Sequence, residues 1–455
     1  MKRWTACILS ILVSVPLIAK TQAPDEAARN ARLDQIASSY TKDNAFMGTV
    51  LVAEGDKIVL DKGYGMASLE WNIPDAPDAK FRLGSLTKQF TATLILLLQQ
   101  DGKLYIQDPI GQYLTDTPKA WSKITIAELL GHTSGIPNFT SLKEFGKWRM
   151  PPHTPDEILD FFRDKPLDFE PGSQFSYSNS GYEVLGAVIQ KVSGKRYGNL
   201  LREQIFDPLG MKDTGLDNDE LVLPKRAEGY LPSEHGLEVA RSESMTVPWA
   251  AGSIYSTTHD LLTWEHALFS GKILSADSLK LMTTPGKGDY GMGLGIQTKD
   301  GVRIISHNGG IEGFNTSLTW VPDHSLCVVV LSNVNGGAPD QMSSQLIDVM
   351  LGKTVTLADE RKAVPIAKSE LSEFTGVYDL APTFALTVAV SGDGLTVQGT
   401  NQGALPMMYQ GVKDGHARFF IAQVNAEIEF IPGPSGSIDS LILHQNGHDI
   451  PGKRH

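Results

Sequence analysis

Arg82-Leu83-Gly84-Ser85-Leu86-Thr87-Lys88 places a serine three residues before a lysine at the start of a helical pattern. Side chains at i and i+3 share one helix face. A serine hydroxyl is a poor nucleophile until a base takes its proton, and a lysine held neutral by burial or positive neighbours can serve. The helix N-terminus adds a favourable dipole and free N–H groups near a developing oxyanion. A second group is Tyr177-Ser178-Asn179, preceded by Glu170-Pro171-Gly172 and followed by a helical pattern. A tyrosine facing the pair could relay the proton to a leaving group, and the asparagine could orient a substrate amide. The third group, His307-Asn308-Gly309-Gly310, ends a strand pattern. A glycine-bearing edge strand lets a substrate backbone pair alongside, and the Gly310 N–H could join that of Ser85 as an oxyanion hole. Each group also has a plainer reading: a serine cap before a surface lysine, a turn with a packed tyrosine, and a glycine turn. Together they describe acyl transfer to a serine.

These residues need elements to carry them. Phe46 to Leu60 reads as strand, turn at Glu54-Gly55-Asp56, and strand. Helical patterns run from Leu86 to Gln100 with Gly102 as stop, from Ile126 to Leu130 before Gly131, from Tyr182 to Val192 before Ser193-Gly194, and from Asp260 to Phe269 with Thr257, Thr258 and His259 as cap candidates. Strands return at Val302–Ser306, Thr316–Val321 and Leu326–Leu331. Strands first, helices in the middle and strands last suit an antiparallel sheet whose first and last strands are neighbours, flanked by a helical region. Residues 353–370 read as a charged linker. Short strands with Gly-rich turns over 371–455 indicate a small antiparallel β-barrel or sandwich without a catalytic constellation. His444 and His448 read as surface residues, since no third ligand is near, and no metal or cofactor motif is present.

The 455 residues are too many for one ordinary core. With 52 acidic and 40 basic side chains the formal charge is −12, which argues against nucleic-acid binding. Met1-Lys2-Arg3, an apolar run to Ala19 and Thr21-Gln22-Ala23 read as a signal peptide over 1–23. The expectation is export to the periplasm or medium. Cleavage would remove three basic side chains and no acid, taking the charge to −15. It would also remove Cys7, leaving Cys327 as a buried strand residue.

The order S-x-x-K, Tyr-x-Asn and His-x-Gly resembles the serine β-lactamase and penicillin-binding protein superfamily. Leu129 to Pro137 (LLGHTSGIP), Glu170 to Leu185, Phe206 to Met211 (FDPLGM) and Ala250-Ala251-Gly252-Ser253 match the branch holding class C β-lactamases, D-alanyl-D-alanine carboxypeptidases, D-aminopeptidases and esterases. The resemblance spans Asp34 to Gly352. With the tail, the layout is similar to penicillin-binding protein 4*-type endopeptidases, whose extra domain is lipocalin-like. It implies an α+β transpeptidase-like fold over 24–352: an antiparallel sheet with helices and an all-helical subdomain. It implies Ser85 as acylated nucleophile, Lys88 as its base, Tyr177 as base and acid toward the leaving group, and the N–H groups of Ser85 and Gly310 as oxyanion hole. Asn179, His307, Asn308 and Gly309 would contact substrate, and His132 would brace its loop. His307 stands where β-lactamases place a lysine, so a substrate carboxylate would need another cation, such as Arg303. The implied substrate is a small peptide, β-lactam or ester, with peptidoglycan as a contact. Peptidase, esterase and β-lactamase all fit these parts, as does a non-catalytic β-lactam receptor.

Overall fold

The computed structural model describes residues 26–241, 243–445 and 448–455. The leader expected at 1–23 lies outside them.

The central sheet has six antiparallel strands: β1 (Gly48–Glu54), β2 (Lys57–Tyr64), β3 (Gly295–Lys299), β4 (Val302–Ile311), β5 (Phe314–Val321) and β6 (Leu326–Ser332), in the order β3-β4-β5-β6-β1-β2. The first strand does pair with the last: Gly48 lies opposite Ser332 and Glu54 opposite Leu326. That pairing closes the sheet around everything between β2 and β3. The helices that concern the site are α1 (Glu26–Ser39), α2 (Thr87–Gln100), α3 (Ile126–Leu130), α4 (Asn179–Ser193), α5 (Trp249–Gly252), α6 (Thr258–Phe269) and α7 (Ala338–Met350).

Alternation along the strands divides the core in two. Val50, Val52, Val328 and Val330 face Leu33 and Ile36 of α1 and Met342 and Leu346 of α7. Leu51, Ala53, Cys327 and Val329 face the other way, into the cluster containing Leu261 and Trp264 of α6. Because both faces are covered, β6 is buried along its whole length and reads as an unbroken apolar run. Burying such a Val or Leu contributes about 1.5–3 kcal/mol. Cys327 is fully buried in that strand, as expected.

Three local expectations differ from the structure. Helix α4 begins at Asn179, three residues before the apolar pattern. Its first turn is small and polar, and tertiary partners satisfy it: Ser180 Oγ donates to Pro137 O at 2.7 Å and accepts from Phe139 N–H at 2.9 Å. Strand β4 runs on to Ile311, so His307 to Gly310 are strand and not turn. It is also not an edge strand throughout: β3, unseen because Gly295–Lys299 is mostly exposed, pairs with Val302 to Ser306. From His307 onward β4 pairs only with β5 within the sheet.

Residues 376–454 form a closed barrel of β7 (Gly376–Ala381), β8 (Phe384–Ser391), β9 (Gly394–Gly399), β10 (Ala404–Lys413), β11 (His416–Ile421), β12 (Ala426–Pro432), β13 (Ile438–Gln445) and β14 (His448–Arg454). Its interior is packed with side chains. Phe374, from the turn Leu371–Phe374, meets Phe419 and Phe430 with ring centroids 5.0 Å apart in each case. His444 is not a free surface residue: Glu429 and Asp449 hold its two ring nitrogens at 3.0 and 2.7 Å. Asn425 ties the barrel to the front of the molecule, donating to Tyr40 Oη and Gln341 Oε1, each at 3.2 Å.

Candidate active site

Ser85 sits in a single turn of 3-10 helix, Gly84–Leu86, that runs directly into α2. Gly84 starts it at φ +56°, a conformation that glycine adopts without strain. Two contacts pin the turn: the Leu83 N–H donates to Ile254 O at 2.8 Å, and Thr316 Oγ1 of β5 donates to Leu83 O at 2.8 Å. Strand β4 presses against it so closely that a Cβ on Gly309 would lie 1.9 Å from Leu83 O and 2.3 Å from Thr316 Oγ1. A Cβ on Gly84 would come within 2.9 Å of Gly310 N. The glycines of the third motif therefore let the strand and the nucleophile turn share one surface. Gly309→Ala is expected to cost about 3 kcal/mol, because backbone on the far side cannot yield as a side chain would. Calorimetry measures it as a lowered Tm, and an unchanged Tm would show that the seam is loose.

Lys88 lies one turn beyond Ser85 and is fully buried. Its Nζ has three oxygen partners: Ser85 Oγ at 2.9 Å, Asn179 Oδ1 at 2.8 Å and Ala251 O at 2.9 Å. The last two can only accept. A neutral amine has two N–H bonds and one lone pair, so the two carbonyl oxygens take both N–H bonds and the lone pair falls on Ser85 Oγ–H. Burial pushes the Lys88 amine down to about 7, against the pull of the Glu183 carboxyl. The expected i,i+3 pair is thus an amine placed to receive the serine proton. Asn179 holds the amine from α4, and its Nδ2 donates to Thr140 Oγ1 at 3.3 Å.

Aromatic rings exclude water around this amine. Nζ lies 4.9 Å from the Tyr177 ring centroid and 5.4 Å from that of Tyr182. Burial pushes the Tyr177 phenol above the ordinary value, against a smaller pull from Ser85, so it is protonated at neutral pH. His132, at φ +55°, stacks on Tyr177 with centroids 4.3 Å apart and accepts the Ser178 N–H at Nδ1, 3.2 Å. It braces the Tyr177 loop. Burial, then the charges of Lys88 and His307, hold its imidazole well below the usual range.

His307 lines the cleft beside Tyr177 and is held by internal hydrogen bonds. Its Nδ1–H donates to Asn308 O at 2.5 Å, and its Nε2 accepts from the Tyr290 hydroxyl at 2.9 Å. Both nitrogens are engaged within the protein, and burial first, then Lys88, pushes the ring down to about 3. It is a neutral spacer behind Tyr177. Arg303, the other candidate cation, donates from Nη2 to Thr283 O at 2.5 Å and lines neither that cleft nor the cavity beside Ser85. Asn308 is exposed and donates to Asp340 Oδ2 at 3.2 Å. Gly310 is exposed beside the nucleophile turn, where it lines a cavity with Ser85 and Asn179.

Two residues around the amine escaped sequence reasoning. Tyr290 lies in irregular chain just before β3, without a motif. Glu183, on α4 one turn beyond Asn179, is fully buried. Burial pushes its carboxyl up to about 8, against Lys88 and the N–H groups of Ala250 and Ala251. The one available signal was an acid inside an otherwise apolar helix stretch, Tyr182 to Leu185.

A family model described as Beta-lactamase matches residues 33–348, and one described as a domain of unknown function matches 360–454. Penicillin-binding protein 4* of Bacillus subtilis (strain 168) is 28% identical over 452 residues, covering 92% of this chain and 98% of that protein. Among solved structures, D-amino acid amidase from Ochrobactrum anthropi SV3 is similar with a TM-score of 0.63 and 27% identity, over 71% of this chain and 97% of the amidase. The octameric penicillin-binding protein homologue from Pyrococcus abyssi shares the fold across 93% of this chain and 99% of its own, with a TM-score of 0.66 and 24% identity.

Proposed function

The chain belongs to the β-lactamase family, as a serine hydrolase of the penicillin-binding-protein kind, and from that premise we propose that it is an exported peptidase or amidase acting on D-amino-acid peptides through an acyl-enzyme on Ser85. The observation that carries this reading is the Lys88 amine, whose lone pair is left for Ser85 Oγ by its two carbonyl acceptors. Ser85 Oγ attacks the substrate carbonyl as Lys88 Nζ takes its proton. The oxyanion forms against the N–H groups of Ser85 and Gly310, each worth roughly 3 kcal/mol in such a role. Tyr177 passes its proton to the departing amine and regains one from Lys88, leaving an ester on Ser85. Water enters from the space vacated by the amine, returns its proton through Tyr177 and Lys88 to Ser85, and releases the acid. With its phenol pushed up, Tyr177 is a relay, and Lys88 is the base.

The choice of D-amino-acid substrates is supported by the similarity to a D-amino acid amidase. A β-lactamase reading is weakened by the neutral, internally bonded His307, which offers no cation to a β-lactam carboxylate. Export rests on the sequence of residues 1–23. The test is intact-mass analysis during incubation with a D-Ala-D-Ala peptide, a D-amino-acid amide, a cephalosporin and a p-nitrophenyl ester. Transient adducts and product from the peptide or amide are expected. A lasting cephalosporin adduct without peptide or amide turnover would replace the hydrolase with a receptor.

A further inference from the structure

Two spaces lie beside the site, and Ser85 lines one of them. On the Tyr177 side a cleft of about 520 Å³ runs past His307 and Asn308. Tyr177 lines that cleft, which on the reading above is the side of the departing group. On the other side a cavity of about 320 Å³ lies between Ser85, Asn179 and Gly310 and receives the acyl part. Its far wall is apolar at Phe139, Phe145 and Val247, but its floor carries charge. Arg149 Nη1 is held 3.3 Å from Glu243 Oε2 and 3.1 Å from Glu312 Oε2.

Two carboxylates thus share one guanidinium. Arg149 is the single cation among the described residues lining the cavity, where it faces two carboxyl groups. The neighbouring Arg82 is held by Asp217 at 2.9 Å, outside the cavity. Arg149 Nη1 donates to Oε2 of both acids. Glu243 is only 7% exposed, and burial pushes its carboxyl up against the pull of Arg149, whereas Glu312 is the more open of the two acids. Glu312 comes from the turn between β4 and β5, two residues beyond Gly310, and lines the same cavity as Ser85.

We propose that Glu312, with Glu243 behind it, selects acyl donors that carry a free α-ammonium group, so that the natural substrate is an unblocked D-aminoacyl amide or an N-terminal D-residue. This rests on the acyl-enzyme reading above. An N-acylated donor would bring a neutral amide to a site with two carboxyl groups and one cation, and a carboxylate-bearing acyl group would meet Glu312. Arg149 holds the two acids in place from the middle and is a positioning residue.

The experiment compares kcat/KM for D-phenylalanine p-nitroanilide, its N-acetyl derivative and the 3-phenylpropionyl analogue lacking the amine. The free amine is expected to lead by tenfold or more at pH 7. That lead should shrink above about pH 8, where an α-amino group loses its proton. The protonation of Lys88 cancels in the ratio because all three substrates need it. Glu312→Gln should cut the lead at least fivefold. Equal rates for the three substrates, a lead for the N-acetyl derivative, or an equal loss on all three in Glu312→Gln would overturn the proposal. p-Nitrophenyl acetate, which has no amine, reports acylation of Ser85 alone. A labelled Ser85 without the amine preference overturns only this inference, and an unlabelled Ser85 overturns the acyl-enzyme reading as well.

Discussion

Ser85→Ala lowers kcat by an expected ~10⁵-fold or more and removes every covalent adduct. No other hydroxyl or thiol replaces it. Cys327 is the one thiol among the described residues, buried in β6 with its pKa pushed well up, by burial first and then by the Glu265 carboxyl. Tyr177 shares the site, but its phenol is protonated at neutral pH. The substitution removes one oxygen from a turn held by Leu83, Gly309 and Gly310, so the fold should survive. Intact mass after incubation with an activated ester, beside kcat on the best substrate, measures both effects. Turnover within tenfold of the parent would mean that another group forms the acyl-enzyme.

Lys88→Met should lower kcat/KM by about 10²–10⁴-fold, the usual contribution of a positioned base. Methionine fills much of the same volume and keeps the burial, so the loss would come from the base and not from packing. The pH dependence is the sharper readout. The amine acts when neutral. With its pKa near 7, kcat/KM should rise about tenfold per unit below pH 7 and level off above it. An unburied lysine, near 10.4, would be neutral in fewer than about one molecule in a thousand at pH 7. In Lys88→Met that acidic limb should disappear. Lys88→Arg should be as inactive, since a guanidinium stays charged. A parent enzyme whose activity is flat from pH 5 to 8 would place the base elsewhere.

Much of the scaffold was legible because it depends on short-range chemistry. The strand, turn and strand from Phe46, the stop at Gly102 and the cap at Thr257 each follow from a few adjacent residues. The i,i+3 geometry of Ser85 and Lys88 is a property of any helical turn. The pairing of first and last strands followed from the order of strand and helix patterns. Helices α1 and α7 were not read, because their apolar faces are narrow and matched only to a sheet face that the chain itself builds. Strand β3 was not read because it is mostly exposed, and with it went the finding that β4 is an edge only beyond Ser306.

By itself, then, the sequence determined the serine, the lysine three residues on, the tyrosine and the glycine strand, in their order, and the barrel that follows. The tertiary structure decided what those groups are chemically. Lys88 is placed to act as a base because Asn179, 91 residues away, and Ala251, 163 residues away, accept hydrogen bonds from its amine, while rings from separate segments surround it. His307 is excluded from cation chemistry because Tyr290 and its own strand engage both nitrogens. The cavity beside Ser85 holds two carboxyl groups around one guanidinium because Glu243 and Glu312 converge on Arg149 from distant parts of the chain. Protonation state and charge depend on burial and on partners brought together across the fold, and no window of adjacent residues contains either.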